Sequence, residues 1–363
     1  KRHKKLIYFH HFNLAITNME TLKVTPETQR EDHIIIIGDL HGNLQETQLL
    51  WNNIRHRLGG EENLRRATVI FLGDYVDRGP DSRGVLDFLI RLQNQRTPGR
   101  SGEDDDITGS THFLAGNHDL GMAAFLGCLP TNDPPSMKFL ENTRDPTYTS
   151  GFWPFPVPKK GMHYLGRRWG GSGKYNASNT FQSYGVEFYA NTPQEEEEKR
   201  NKLLEAVPES HKQFLSNMAW IHDQAVPFSP GRLVCVHAGL VCNGPMSAES
   251  QIIALQARDL TASILHEEGD ASRIAAFTGR RNVIGVPSDL NGRSILVSGH
   301  HGICCVKGDR FIIDSSGGRP SQSRPIQALL LPEREIITSS ALKGSDGVGA
   351  SEEQAFHSKK PHM

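Results

Sequence analysis

Five short apolar runs in this chain end at an aspartate, an asparagine or a histidine that lies beside or near a glycine. They read "HIIIIGDLHGN" from His33, "ATVIFLGDYVDRG" from Ala67, "THFLAGNHD" from Thr111, "RLVCVHAGL" from Arg232 and "SILVSGHHG" from Ser294. A β-branched run such as the four isoleucines from Ile34 suits a strand covered on both faces, and a glycine at its end frees the backbone to turn. In open α/β sheets ligands bind beyond the carboxyl ends of strands. Taken singly, each strand end could be a polar turn. Five in one chain, each with an oxygen or nitrogen donor, point to a shared site.

Helical patterns lie between the first runs, such as "LQETQLLWNNIRHRL" and "PDSRGVLDFLIRLQNQ", so the early chain alternates strand and helix. "QEEEEKRNKLLEAVPESHKQFLSNMAWIHDQ" predicts two helices broken before Pro208, with Glu195 to Glu198 in a solvated first turn. The expected class is α/β. Residues 1–30 are expected to lie outside the fold, 31–335 to form one catalytic domain, 130–191 to be an insertion in it, and 336–363 to be a disordered tail. "WGGSGKY" is not a phosphate loop, because Arg168 stands where that motif needs its first glycine and Tyr175 follows the lysine.

Composition bears mainly on partners. A formal net charge of -1 over 363 residues gives no electrostatic footprint for nucleic acid. No apolar stretch is long enough to span a membrane, so no membrane partner is expected. Five cysteines without CxxC spacing indicate neither a disulfide scaffold nor a zinc ribbon. The expected location is a reducing compartment, cytoplasmic or also nuclear.

The donors run in the order Asp-x-His, Asp-x-x-Asp-Arg, Asn-His, His, His. Carboxylates and imidazoles without thiolates suit Mn, Fe or Zn better than Ca. One shared carboxylate lets such a set hold two ions roughly 3.5–4 Å apart, which can acidify a water between them and clamp oxygens on phosphorus. This is phosphoester hydrolysis chemistry.

"GDLHG", "GDYVDRG", "GNHD", "HAGL" and "GHHG" resemble the five signature motifs of the calcineurin-like metallophosphoesterases, specifically the phosphoprotein-phosphatase family. The resemblance runs from about Ile34 to Ser316. It implies a central β-sandwich of two mixed sheets flanked by helices, and two metal ions. On these residues it implies Asp39 and His41 at the first metal, Asp74 as the bridge, and Asn117, His237 and His300 at the second. His301 is the neighbouring alternative to His300. His118 would be the general acid, Asp77 would orient it, and Arg78 would grip phosphate oxygens with its planar fork.

The loop "FIIDSSGGRP" departs from the Ser-Ala-Pro-Asn-Tyr loop of the eukaryotic Ser/Thr enzymes. "AGNHDLGMAAFLGCLP", "GRRWGG", "TFQSYGV", "VPESHKQFL" and "TGRRNVIGVP" resemble the Rhizobiales-like phosphatases of plants, second type, which implies a preference for phosphotyrosine in a protein substrate. The insertion would then wall a deeper site, with Arg167, Arg168, Arg280 and Arg281 as extra anion contacts. The alternatives are a diadenosine-tetraphosphate hydrolase, a Ser/Thr-specific phosphatase and, last, a non-catalytic scaffold.

Overall fold

The computed structural model describes residues 33–96, 109–129, 169, 175–244, 246–258, 266–267 and 270–341. Two five-stranded sheets form the centre. The first has the order β12-β11-β1-β2-β3, from β1 (Ile34–Ile37), β2 (Thr68–Phe71), β3 (Thr111–Phe113), β11 (Gln327–Leu331) and β12 (Glu335–Thr338). The second has the order β4-β5-β8-β10-β9, from β4 (Ile221–Ala225), β5 (Arg232–Val236), β8 (Ile295–Ser298), β9 (Cys304–Lys307) and β10 (Arg310–Ile313).

Both sheets are mixed. In the first, β1, β2 and β3 run parallel while β11 and β12 return antiparallel. In the second, β5, β8 and β10 are parallel between antiparallel edges β4 and β9. The parallel strands of each sheet therefore finish at a common edge, where the glycine turns of the sequence fall.

The isoleucine run shows why this sandwich forms. Ile34 and Ile36 pack with Leu233, Val297 and Phe311 of the opposite sheet, whereas Ile35 and Ile37 join the larger core beneath the helices. All four are buried, so a strand with no polar face fits only a sheet covered on both sides.

Helices α1 (Leu44–Arg57), α2 (Glu61–Arg66), α3 (Ser82–Gln95) and α4 (Asn117–Leu126) follow the first three strands. Next come α5 (Ser178–Ser183), α6 (Pro193–Ala206) and α7 (Glu209–Asn217), the last two divided at the expected Pro208, and then α8 (Ala248–Ala257) and the short α9 (Ala275–Thr278). Thr192 caps α6 by accepting from the Glu195 amide, and the glutamates lie in its first turns. A small hairpin pairs β6 (His266–Glu267) with β7 (Asp270–Ile274). No described helix is long and apolar enough to cross a membrane.

Regular structure continues past the expected domain end at 335. That end falls at the first residue of β12, which pairs with β11 in register from Glu335 to Thr338, and the Ser339 hydroxyl accepts from the Ile326 amide. The reason is compositional: only three residues, Pro332 to Arg334, separate the strands, and the hairpin stands beside a Gly/Ser-rich tail. The expected 1–30 extension, the tail beyond 341 and most of the 130–191 insertion lie outside the described residues.

Candidate active site

The five glycine turns converge. Among the described residues, His41, Asp74 and His118 bring potential ligand atoms within 4.8 Å of one another, and so do Asp74, His237 and His300. Asp74 belongs to both groups. Its Oδ2 lies 3.4 Å from His41 Nε2, and its Oδ1 lies 3.4 Å from His237 Nε2. Asp39 Oδ2 is 3.8 Å from His41 Nε2, and Asn117 Oδ1 is 3.4 Å from His237 Nε2. All six expected metal ligands are thus in one cluster, and all are buried.

Backbone carbonyls fix which imidazole nitrogen faces that cluster. His41 Nδ1 donates to the Val76 carbonyl at 3.0 Å, and His237 Nδ1 donates to the Leu72 carbonyl at 2.9 Å. Each Nε2 is then the nitrogen that faces Asp74, and it is the one a metal ion would take from the neutral ring. His300 adds a direct test of fit. It faces the cluster through Nδ1, 3.2 Å from His237 Nε2, so two imidazole nitrogens converge beside the Asp74 carboxylate, as a shared cation requires. His301 is engaged elsewhere through Nε2, which donates to the Ala238 carbonyl at 2.7 Å. The donor set therefore suits two ions.

The turns are strained in a way that glycine neighbours make room for. His41, Asp74, Asp77, Arg78 and His300 all have left-handed backbone, with φ of 47, 55, 73, 66 and 67°. Each such residue costs on the order of 1–3 kcal/mol and persists where its surroundings over-determine it. A Cβ on Gly116 would overlap Asp74 Oδ1, and one on Gly299 would overlap Asp39 Oδ1, so these two glycines let the carboxylates sit against the next turn.

Asp119 holds the Asp74 turn, a role that sequence inspection missed. Its carboxylate accepts from the amides of Asp74 at 2.6 Å, Tyr75 at 2.8 Å and Gly116 at 2.9 Å. Asp314 does similar work at the last turn, accepting from the Gly302 and Gly317 amides at 2.6 and 3.0 Å. The only sequence signal for Asp119 was the final letter of "GNHD".

The charges are mutually dependent. Burial opposes charging of His237, yet the carboxylates of Asp74 and Asp39 outweigh it and push the imidazole up to about 9. Burial also works against Asp74, but His237 and His118 hold it well below the usual carboxylate range. Burial, and then the neighbouring Arg78 and His118, hold His41 well below its ordinary value. Burial pushes Asp77 up to about 8, against hydrogen bonds from Thr180 and Trp169.

His118 Nδ1 lies 2.6 Å from Asp77 Oδ2, and its Nε2 is 4.0 Å from Asp74 Oδ2. Arg78 donates to Nε2 of both His41 and His118, at 2.9 and 3.1 Å, and to the Gly317 carbonyl at 2.9 Å. It also lines a cavity of about 460 Å³ with Asn176, Arg280, His300, Arg319 and Arg324. Arg280 is thus at the site, with Nη1 donating to the His300 carbonyl at 3.0 Å. Arg281, which begins a 3-10 turn, is not among the described residues that line this cavity. Arg167 and Arg168 lie outside the described residues. Arg319 and Arg324, which the sequence did not single out, sit in the loop after β10.

Residues 33–266 match the family model described as calcineurin-like phosphoesterase. Among curated proteins, the chain is 29% identical over 87 residues to a bis(5'-nucleosyl)-tetraphosphatase of Oceanobacillus iheyensis, covering 23% of this chain and 30% of that protein. It is 34% identical over 74 residues to a zinc-dependent endopolyphosphatase of Saccharomyces cerevisiae, covering 20% of this chain and 21% of that protein. The matched segments thus span less than a third of either relative.

Two solved structures are similar over most of the chain. A cold-active protein-tyrosine phosphatase of a psychrophilic Shewanella species has a TM-score of 0.40 and 14% identity, covering 84% of this chain and 77% of that one. A protein serine/threonine phosphatase from Saccharomyces cerevisiae has a TM-score of 0.42 and 12% identity, covering 88% and 83%.

Proposed function

The chain belongs to the calcineurin-like phosphoesterase family, and from that premise we propose that it is a two-metal phosphomonoesterase acting on phosphorylated proteins, with a preference for phosphotyrosine. The observation that carries the reading is the cavity beside both ligand groups, lined by Arg78, Arg280, Arg319 and Arg324. Four guanidinium side chains around one opening suit a dianionic phosphate and further anionic groups next to it.

Asp39, His41 and Asp74 would hold one ion, and Asp74, Asn117, His237 and His300 the other. When bound, such a pair supplies Lewis acidity to phosphoryl oxygens and to the attacking water. The protein's own contributions are separate. Arg78 orients the phosphoryl group. His118, held through Nδ1 by Asp77 and with Nε2 3.1 Å from Arg78 Nη2, would deliver a proton from Nε2 to the departing oxygen once it is charged and the phosphoryl group has drawn Arg78 away.

The tyrosine preference rests on the resemblance of the segments around "GRRWGG" and "TFQSYGV" to the tyrosine-preferring plant class. Arg167 and Arg168 are proposed as added substrate contacts from the insertion. The competing reading, a dinucleoside-polyphosphate hydrolase, draws on the activity named for the Oceanobacillus relative. Against it, the described residues lining the cavity include no Phe, Tyr or Trp on which a nucleobase would stack.

The experiment compares kcat/KM of the metal-loaded chain on phosphotyrosine, phosphoserine and phosphothreonine peptides and on diadenosine tetraphosphate. The phosphotyrosine peptide should lead by at least about tenfold, a difference near 1.4 kcal/mol. Preferred turnover of the tetraphosphate would overturn the reading.

A further inference from the structure

The Asp77 carboxylate offers about four lone-pair positions, and the structure fills three of them with side-chain donors. Oδ2 receives His118 Nδ1 and also the Trp169 indole N–H, the latter at 2.8 Å. Oδ1 receives the Thr180 hydroxyl at 2.7 Å. The Asp77 amide lies 3.0 Å from both Ser82 Oγ and Thr180 Oγ1, and those two hydroxyls are 2.9 Å apart. One proton order satisfies every contact: Thr180 donates to Asp77, so Ser82 donates to Thr180, and the amide is shared between them.

These donors are held rigidly. Trp169 is buried between Phe125 and Phe181, with ring centroids 5.2 and 5.5 Å away. A Cβ on Gly121 would stand 3.0 Å from the indole, so that glycine gives the ring its seat. Thr180 is carried by α5, and the residue after that helix is tied down as well. Tyr184 Oη lies 2.7 Å from His211 Nδ1 on α7, and His211 Nε2 lies 2.9 Å from Asp87 on α3. Two described residues of the 130–191 segment, Trp169 and Thr180, thus meet on the partner of His118.

We infer that Trp169 and Thr180 are positioning residues for the reaction: by fixing the plane of the Asp77 carboxylate, they aim His118 Nε2 at the leaving oxygen. The inference rests on the reading of His118 as proton donor. Neither residue is among those that line the cavity, so each acts through Asp77. A proton donor misplaced by a fraction of an ångström loses most where the leaving group most needs the proton.

The test uses the full chain with metal, on aryl phosphates of graded leaving-group acidity and one alkyl phosphate. H118N and D77N should lose more activity as the leaving group becomes less acidic. T180V and W169F should follow the same trend with a smaller loss, about tenfold on the alkyl ester and a few-fold on nitrophenyl phosphate, as expected for a displaced rather than deleted donor. T180S should restore the trend to that of the unmodified chain, and T180V should add little to D77N.

A second readout, taken without metal, is the proton resonance of His118 Nδ1–H. It should move in T180V and W169F and return in T180S. If H118N itself shows a uniform loss across the series, the proton-donor reading fails and the inference fails with it. If H118N and D77N show the trend while T180V and W169F lose activity evenly, Trp169 and Thr180 are structural only and the reading of His118 stands.

Discussion

His118 Nδ1 and Asp77 Oδ2 are 2.6 Å apart, and both side chains are buried. A carboxylate this close fixes the imidazole tautomer and its orientation, so that Nε2, which lies 3.1 Å from Arg78 Nη2, is the nitrogen on which a transferable proton would be carried. Replacing His118 with Asn should leave metal binding intact and slow hydrolysis of a serine phosphate by roughly 10²–10⁴. The defect should shrink for nitrophenyl phosphate, whose leaving group needs less protonation. Steady-state kinetics on the two substrates checks this, and equal losses would assign His118 another role.

Asp119 gives a stability prediction. Removing its carboxylate leaves the amides of Asp74, Tyr75 and Gly116 without their acceptor inside the core. Buried unsatisfied donors cost about 1–3 kcal/mol each, and the left-handed turn at Asp74 loses its brace as well. Asp119→Ala should therefore lower stability by about 3–5 kcal/mol and weaken metal binding. Asp119→Asn, which keeps one acceptor oxygen, should cost less. Chemical denaturation of the two variants checks the order.

How much of this was legible in the sequence divides along a physical line. The strand posts and the ligands on them were readable, because a glycine-terminated buried run leaves few places for an Asp or His to point. Ile34 to Ile37 announced a strand covered on both faces, and Asp39 and His41 fell at its lip. Trp169 and Thr180 were not readable. They come from an aperiodic insertion, and their role depends on a three-dimensional meeting with Asp77. Arg280 and Arg281 looked equivalent in sequence, yet only Arg280 lines the cavity, since adjacent residues in an irregular turn point different ways.

The cavity arginines predict a split in kinetics. Arg280→Ala and Arg319→Ala should raise KM for a phosphopeptide by about tenfold, and for nitrophenyl phosphate by less, because the small substrate lacks the groups that remote contacts bind. Arg281→Ala serves as the comparison, as it lies off the cavity wall. Equal effects at all three positions would mean that only general surface charge matters.

A histidine pair away from the site predicts acid sensitivity. His112 and His222 have ring centroids 4.1 Å apart. Burial, and then the neighbouring His222, push His112 down to about 4. A group whose folded value lies below its unfolded value near 6.5 binds fewer protons when folded, so stability rises with pH between about 4 and 6.5 and is lost as pH falls through that window. With its partial exposure allowed for, His112 should account for about 1 kcal/mol of the loss between pH 7 and 5. His112→Gln should shrink that loss, as read from denaturation curves at the two pH values.

One carboxylate, Asp74, is placed to serve two metal ions, since its two oxygens each lie 3.4 Å from a histidine Nε2 of a different ligand group. The most direct test is metal stoichiometry by equilibrium dialysis, with Mn or Zn, for the unmodified chain and for Asp74→Asn. The account predicts two ions per unmodified chain, and loss of tight binding at both positions with metal-dependent turnover down by at least about 10³ in the variant. Two tightly held ions and ordinary turnover in Asp74→Asn would contradict it.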